Sequence, residues 1–239
     1  MLVEHSKKDY VLTMNIIALI PARGGSKGIS RKNMALCAGK PLIQYTFESA
    51  RQSRCMSRVY LSTDDQEIAE FGKQNDIEVP FMRPPELAAD QTPMIDVIRH
   101  FMSWLDEQSI PFDGVMLLQP TSPLRMAKHI DEAIALFEEQ RPSSLVSVVE
   151  VPHNFSPTSL MHFKGGKLTP CTDSQIYRRQ DKPTYYARNG PAILIVTKAA
   201  IDSGNCYAQP CAGYEMDMIS SVDVDNNNTL QIAAIFLSN

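Results

Sequence analysis

The chain has 239 residues, 44% of them hydrophobic and 21% charged, which suits one large α/β domain or one domain with a small appendage. A formal net charge of -4, a pI near 5.7 and the lack of a long basic run argue against a nucleic-acid backbone as partner, but leave room for a local basic pocket. Five cysteines, an odd number without a Cys-x-x-Cys pair, argue against a zinc site or a disulfide framework and for reduced thiols in the cytoplasm.

Residues 1–14 are polar and lack an apolar signal core, so they read as an N-terminal tail. No apolar run approaches the ~20 residues of a membrane span. The run at 15–21 fits a strand buried on both faces of a parallel sheet. Leu42, Ile43, Thr46, Phe47 and Ala50 then recur at helical spacing, with Pro41 at the helix start. Residues 58–63 read as a second strand, Asp64 as the cap of the next helix and 79–81 as a third short strand. A helix over 93–107, a strand over 114–119, a helix over 128–140 and a strand over 145–151 complete an alternation that implies βαβ units and a mainly parallel sheet. Beyond Val151 the alternation stops. Gly165-Gly166 between Met161-His162-Phe163 and Lys167-Leu168 predicts a projecting hairpin. A buried strand over 192–196 and a closing helix over 229–237 follow. The expected organisation is one domain over 15–239 with an inserted arm at about 152–183.

Several constellations can carry chemistry. The loop Pro21-Ala22-Arg23-Gly24-Gly25-Ser26-Lys27-Gly28-Ile29-Ser30-Arg31-Lys32-Asn33 combines glycines, which let N–H groups approach a phosphate, with the cations Arg23, Lys27, Arg31 and Lys32. It leaves the C-terminal end of the first strand, where open α/β sheets bind ligands. Its spacing is neither a Walker A nor a dinucleotide fingerprint. Polyphosphate binding is favoured over a merely solvated basic loop. In Val222-Asp223-Val224-Asp225 two carboxylates sit two residues apart on an extended segment and share a face. They suit Mg²⁺, although Asp225 could instead cap the following helix. Leu117-Leu118-Gln119-Pro120-Thr121-Ser122-Pro123-Leu124-Arg125 places polar groups at the same sheet edge, or is an ordinary turn. Tyr177-Arg178-Arg179-Gln180-Asp181 could clamp a carboxylate or form a structural ion pair. His100 and His129 sit on predicted helices, and only His153 falls near a possible site.

These motifs, with Ser62-Thr63-Asp64-Asp65, Arg83-Pro84-Pro85-Glu86-Leu87 and Asn189-Gly190, stand in one order from about 15 to 237. In that order the chain resembles the acylneuraminate cytidylyltransferase family, the CMP-sialic acid synthetases. The resemblance implies a three-layer α/β fold of the glycosyltransferase-A-like nucleotidyltransferase type, with a mainly parallel sheet and a protruding dimerisation arm. It implies a homodimeric enzyme that transfers CMP from CTP to the anomeric hydroxyl of a nonulosonic α-keto acid sugar and releases pyrophosphate. By matching positions, Ala22, Arg23, Gly24, Ser26, Lys27, Lys32, Asn33 and Arg83 would meet the nucleotide. Gln119, Asn189 and the partner's Arg179 would meet the sugar. Asp223 and Asp225 would hold Mg²⁺ and, with Arg23 and Lys32, act in catalysis.

The chain departs from the family's pattern in three places. His153-Asn154-Phe155-Ser156 stands where a His-Pro and a nearby lysine are common. Pro191-Ala192-Ile193-Leu194 replaces a common Ala-Ile-Tyr, and Asn226-Asn227-Asn228-Thr229 replaces further acids. All touch the sugar side or the metal rim. An octulosonate-type cytidylyltransferase and a non-catalytic nucleotide-binding module are the alternatives. The aspartate pair argues against the second, since a mere binder needs no metal diad.

Overall fold

The apolar run near the N-terminus forms strand β1 (Ile16–Pro21), and all six of its residues are buried. The fold is that of a computed structural model, described for residues 14–172, 176 and 178–238. After β1 come β2 (Leu36–Cys37), β3 (Lys40–Pro41), α1 (Leu42–Gln52), β4 (Val59–Ser62), α2 (Gln66–Gln74), α3 (Met94–Glu107) and β5 (Gly114–Leu117). The chain continues with α4 (Ala127–Gln140), β6 (Ser144–Glu150), β7 (Met161–Lys164), β8 (Lys167–Pro170) and β9 (Tyr186–Arg188). It closes with β10 (Leu194–Val196), α5 (Lys198–Asp202), β11 (Cys211–Glu215) and α6 (Asn227–Leu237).

A seven-stranded sheet in the order β11-β6-β10-β5-β1-β4, with β9 also on β6, forms the middle layer. The pairs β1–β4, β1–β5 and β6–β11 are parallel, whereas β9 and β10 run antiparallel to β6. The mainly parallel α/β sheet expected from the sequence is therefore present. Alternate residues of β1 serve opposite faces, as the two-residue strand period requires. Ile16, Ala18 and Ile20 pack with Ile43 and Phe47 of α1, Ile68 of α2 and Ile134 and Phe137 of α4. Ile17 and Leu19 pack with Ile98, Phe101 and Leu105 of α3 and Ile201 of α5.

A third, smaller core positions the site. Ile29 of the glycine loop, Cys37 of β2, Leu42 of α1, Val224 and Ala233 of α6 are buried together. This cluster ties the loop after the first strand to the segment before the last helix.

Several expectations need correction. Met14, assigned to the tail, packs on the main core, and its N–H donates to Glu138 at 2.6 Å; residues 1–13 lie outside the described ones. The cap of α2 is Asp65, which accepts from the Ile68 N–H, and Asp64 turns elsewhere. Residues 79–81 form no strand; only isolated bridges, Tyr60 to Glu78 and Thr63 to Met82, join that stretch to the chain around β4. The short elements β9, α5 and β11 were not foreseen. The hairpin is present as β7–β8, with all eight residues exposed. His129 is buried and its Nδ1 accepts from the Met126 N–H at the start of α4. His100 stacks edge-on against Phe81, and burial lowers its pKa.

Candidate active site

Parallel strands β1, β4 and β5 all end at one edge of the sheet, so the chain after each emerges together there. A cleft of about 180 Å³ opens at that edge. Pro21, Arg23, Gly25, Ser26, Lys32 and Asn33 line it from the first loop, Arg83 and Met94 from the chain before and at α3, and Gln119, Pro120 and Thr121 from the chain after β5. Arg23, Ser26, Lys32, Asn33, Arg83 and Gln119 are therefore brought together as the sequence suggested.

The loop is shaped by bonds to its own backbone and to neighbouring carboxylates. The Asn33 amide donates to the Arg23 carbonyl at 2.9 Å, folding the loop back on itself. The Gly24 N–H donates to Asp64 at 3.0 Å, and a side chain at Gly24 would collide with Asp65. Gly28 lies against the Asp225 carbonyl so closely that an added Cβ would sit 2.2 Å from its oxygen. The Lys32 ammonium donates to the Val224 carbonyl at 2.9 Å and meets the Asp225 carboxylate at 3.4 Å. The first loop and the aspartate segment thus form one surface.

Two of the expected site residues are engaged within the fold. The Ala22 N–H donates to the Ser62 carbonyl at 2.9 Å, extending the β1–β4 ladder, and its side chain is fully buried, so any contact to a nucleotide would come from its backbone carbonyl. Asn189 is buried with its amide fully engaged. It accepts from Ser147 at 2.6 Å and from the Ala192 N–H at 3.3 Å, and donates to Ser221 at 2.9 Å and to the Met216 sulfur at 3.4 Å. Asn189 braces the wall of the site. Arg31, one of the loop's four cations, turns to Asp65 at 3.1 Å and Glu67 at 3.0 Å. The Arg179 backbone lies in a short 3-10 turn over Arg179–Asp181, while its side chain and Tyr177 lie outside the described residues.

Electrostatics mark the cleft. Arg83 is buried, its Nε donates to the Ser62 hydroxyl at 3.0 Å, and burial pushes its pKa down to about 10, with Asp64 partly opposing. Its second anchor is the Ser62 carbonyl. Asp223 is half-buried, and its Oδ1 has no hydrogen-bond partner. Burial raises its pKa, Asp225 adds to the effect, and a hydrogen bond from Thr121 together with Lys32 opposes it. Asp225 itself is 71% exposed along its side chain. The helix-capping reading of Asp225 fails: the cap of α6 is Asn226, whose side chain accepts from the N–H groups of Asn228 and Thr229. The Asn226–Thr229 run therefore serves the helix start.

Sequence reasoning missed Asp90. Its carboxylate bridges Arg23 at 2.7 Å and Lys27 at 3.2 Å. The hydrogen bond from Lys27 is the largest cause holding its pKa below the usual range. No local pattern around Glu86-Leu87-Ala88-Ala89-Asp90 announces this, because the partners lie more than sixty residues away.

The fold has counterparts among solved structures. A solved CMP:2-keto-3-deoxy-manno-octonic acid synthetase complexed with CTP superposes with a TM-score of 0.70 over 94% of this chain and 98% of that one, at 14% identity. A family model described as Cytidylyltransferase matches residues 17–233. The chain is 34% identical over 215 residues to the CMP-N,N'-diacetyllegionaminic acid synthase of Legionella pneumophila, covering 89% of this chain and 91% of the relative. It is 33% identical over 218 residues to an N-acylneuraminate cytidylyltransferase of Streptococcus agalactiae, covering 90% of this chain and 51% of that protein, so it spans about half of that relative's length. The chain belongs to the cytidylyltransferase family and is an enzyme of that kind. Among the described residues no helix is long and apolar enough to cross a membrane.

Asp90 pairs with two cations of the loop that are expected to meet a triphosphate. Replacing it should free them: Asp90→Asn is expected to lower the KM for CTP about 2- to 5-fold, the range spanned by a partly exposed ion pair. Steady-state kinetics at low salt measure this; an unchanged or raised KM would show that Asp90 is not a competitor of the triphosphate.

Proposed function

We propose that the enzyme transfers CMP from CTP to the anomeric hydroxyl of an acylated nonulosonic α-keto acid and releases pyrophosphate. One observation carries the reading. A single cleft collects Arg23, Ser26, Lys32, Asn33, Arg83 and Gln119, while Lys32 bridges to Asp225 and Thr121 to Asp223. The names of both relatives carry an acylated acid sugar, which supports the same class here. Lys27, at the mouth of the loop, joins the cations once Asp90 is displaced.

The sugar hydroxyl attacks the α-phosphorus and pyrophosphate departs on the opposite side. Negative charge grows on the phosphoryl oxygens and the leaving group. Arg23 and Lys32, held by the loop, face that charge, Lys32 already in place and Arg23 once Asp90 is displaced, and such positioned cations lower the barrier. Gln119 orients the sugar from the other wall. Its amide already donates to the Gly190 carbonyl at 3.4 Å, so it sits between the two walls.

The residues fit Mg²⁺. Asp223 offers a buried oxygen with no partner, and Asp225 stands two residues on. A hard cation that takes one or two carboxylates together with substrate phosphates matches this donor set. Bound there, Mg²⁺ would neutralise charge on the substrate phosphates. Burial raises the Asp223 pKa, so the folded state binds this proton more tightly than the unfolded chain does. The stability so gained is complete below the unfolded pKa of ~3.9 and is lost as pH rises through the folded value. At neutral pH the bare carboxylate therefore burdens the fold. Asp223→Asn should leave the melting temperature at pH 7 equal to or above wild type while kcat falls roughly 10²-fold or more. Pyrophosphate release from CTP with a panel of nonulosonic and octulosonic acids provides the assay. A wild-type rate in this variant would defeat the metal assignment, and no release with any nonulosonic acid would defeat the reaction.

The arm is read as a dimerisation element. Phe163 is 75% and Leu168 60% exposed on the β7–β8 hairpin, and a second copy of the chain would cover them. Arg179 would then reach the sugar carboxylate of the neighbouring site. Arg179→Ala and Lys32→Ala homodimers should each be nearly inactive, and their mixture after subunit exchange should regain up to about a quarter of wild-type activity, because half the dimers are mixed and hold one intact site of two. No recovery in a mixture shown to have exchanged would place Arg179 in cis or outside the reaction.

A further inference from the structure

Arg125 is 2% exposed and has no carboxylate within ion-pair distance among the described residues. Burying an arginine without an acid is costly, so its bonds merit an account. Its Nη1 donates to the Gln119 carbonyl at 3.1 Å and to the Ala192 carbonyl at 2.8 Å. Its Nη2 donates to the Thr46 hydroxyl on α1 at 2.8 Å, and its Nε has no partner. The two carbonyls belong to different walls. Gln119 ends the chain leaving β5, and Ala192 closes the 189–192 loop between β9 and β10.

Between those walls lies a second pocket of about 290 Å³, next to the nucleotide cleft. Gln119 and Met94 line both, and Pro191, Leu194, Cys206 and Tyr207 complete much of the second. The 189–192 loop is held to β6 by Ser147, whose hydroxyl bonds Asn189 and Ile193 and whose backbone bonds the same two residues. The antiparallel pairing of β10 with β5 ends at Leu194 and Leu117, two residues short of Ala192 and Gln119, and beyond it the Gln119 amide reaches the Gly190 carbonyl at 3.4 Å. Arg125 adds a tie at the two wall carbonyls themselves, from behind the pocket and anchored on α1.

We propose that Arg125 is a positioning residue that sets the separation of the Gln119 and Gly190–Ala192 walls, and so governs the acceptor sugar without touching it. The inference rests on the proposed reaction, in which Gln119 faces the sugar. It separates the two substrates: the glycine loop makes no bond to Arg125, so nucleotide binding should not depend on it. A lysine keeps the charge but cannot span two carbonyls and a hydroxyl in one plane.

The test compares Arg125→Lys, Arg125→Met and Thr46→Val with Phe137→Leu, a core change on α4 that lowers stability without reaching either wall. Arg125→Lys and Arg125→Met should each raise the sugar KM about 10-fold and leave the CTP KM within about 2-fold. Thr46→Val, which removes only the far anchor, should raise the sugar KM about 3-fold. Phe137→Leu should lower the melting temperature with both KM values unchanged. An unchanged sugar KM in the Arg125 variants overturns the proposal, as does an equal rise for CTP and sugar, or a Phe137→Leu enzyme that behaves like them. If the Arg125 variants do not fold, Thr46→Val decides, and a wild-type sugar KM there overturns it. Wild-type enzyme that releases no pyrophosphate with any nonulosonic acid would instead defeat the reaction itself, so the two failures are distinct.

Discussion

The site exists because the first loop of the chain is closed onto its last irregular segment. The Lys32 ammonium donates to the carbonyl of Val224, 192 residues away, while Ile29 and Val224 share a small core with α1 and α6. Gly28 permits the approach, since no side chain would fit against the Asp225 carbonyl. The parallel sheet makes this closure possible by delivering the ends of β1, β4 and β5 to one edge. Val224 also donates its N–H to the Thr121 carbonyl at 2.8 Å, so the same segment is held by the chain after β5. Three distant stretches thereby become one rigid wall around a cleft.

Charge in that cleft is arranged in advance. Arg83 is buried on Ser62, Lys32 is held by a carbonyl, and Arg23 and Lys27 rest on Asp90. Each cation is thus oriented before a ligand arrives, with Asp90 on Arg23 and Lys27 and Asp225 beside Lys32. Asp223 is the converse case, a half-buried acid with one oxygen that has no hydrogen-bond partner. Fixed dipoles and charges of this sort stabilise a transition state more than they stabilise flexible substrates. The acceptor side is built differently. It depends on Asn189, Ser147 and Arg125, buried groups that shape walls.

Much of this was legible in the sequence. The continuous apolar run of β1 and the helical spacing on α1 and α4 gave the layers. The glycine loop, Arg83 and Gln119 gave most of the cleft, and the aspartate pair lies beside it on Lys32. Where reading failed, long-range partners decided the outcome. Asp64 and Asp65 are equivalent as caps by local rules, yet Gly24, forty residues back, takes Asp64 and leaves the cap to Asp65. Arg31 looks like a phosphate cation until α2 presents Asp65 and Glu67 to it. Asn226 outcompetes Asp225 as a cap because Lys32 and the small core fix the preceding residues. Strand β11 escaped notice because Cys211-Ala212-Gly213 carries little apolar bulk; only its parallel pairing with β6 makes it a strand. The three-residue β9 is exposed and offers no burial pattern to read.

The closure itself can be tested without touching a charged group. Gly28→Ala places a methyl group where the Asp225 carbonyl lies and should force the loop and the aspartate segment apart. Displacement of about 1 Å in a positioned site costs on the order of 10²-fold in rate. The account predicts that kcat for CTP-dependent pyrophosphate release falls by about that factor in a protein that still melts cooperatively. A Gly28→Ala enzyme with the wild-type kcat would contradict it.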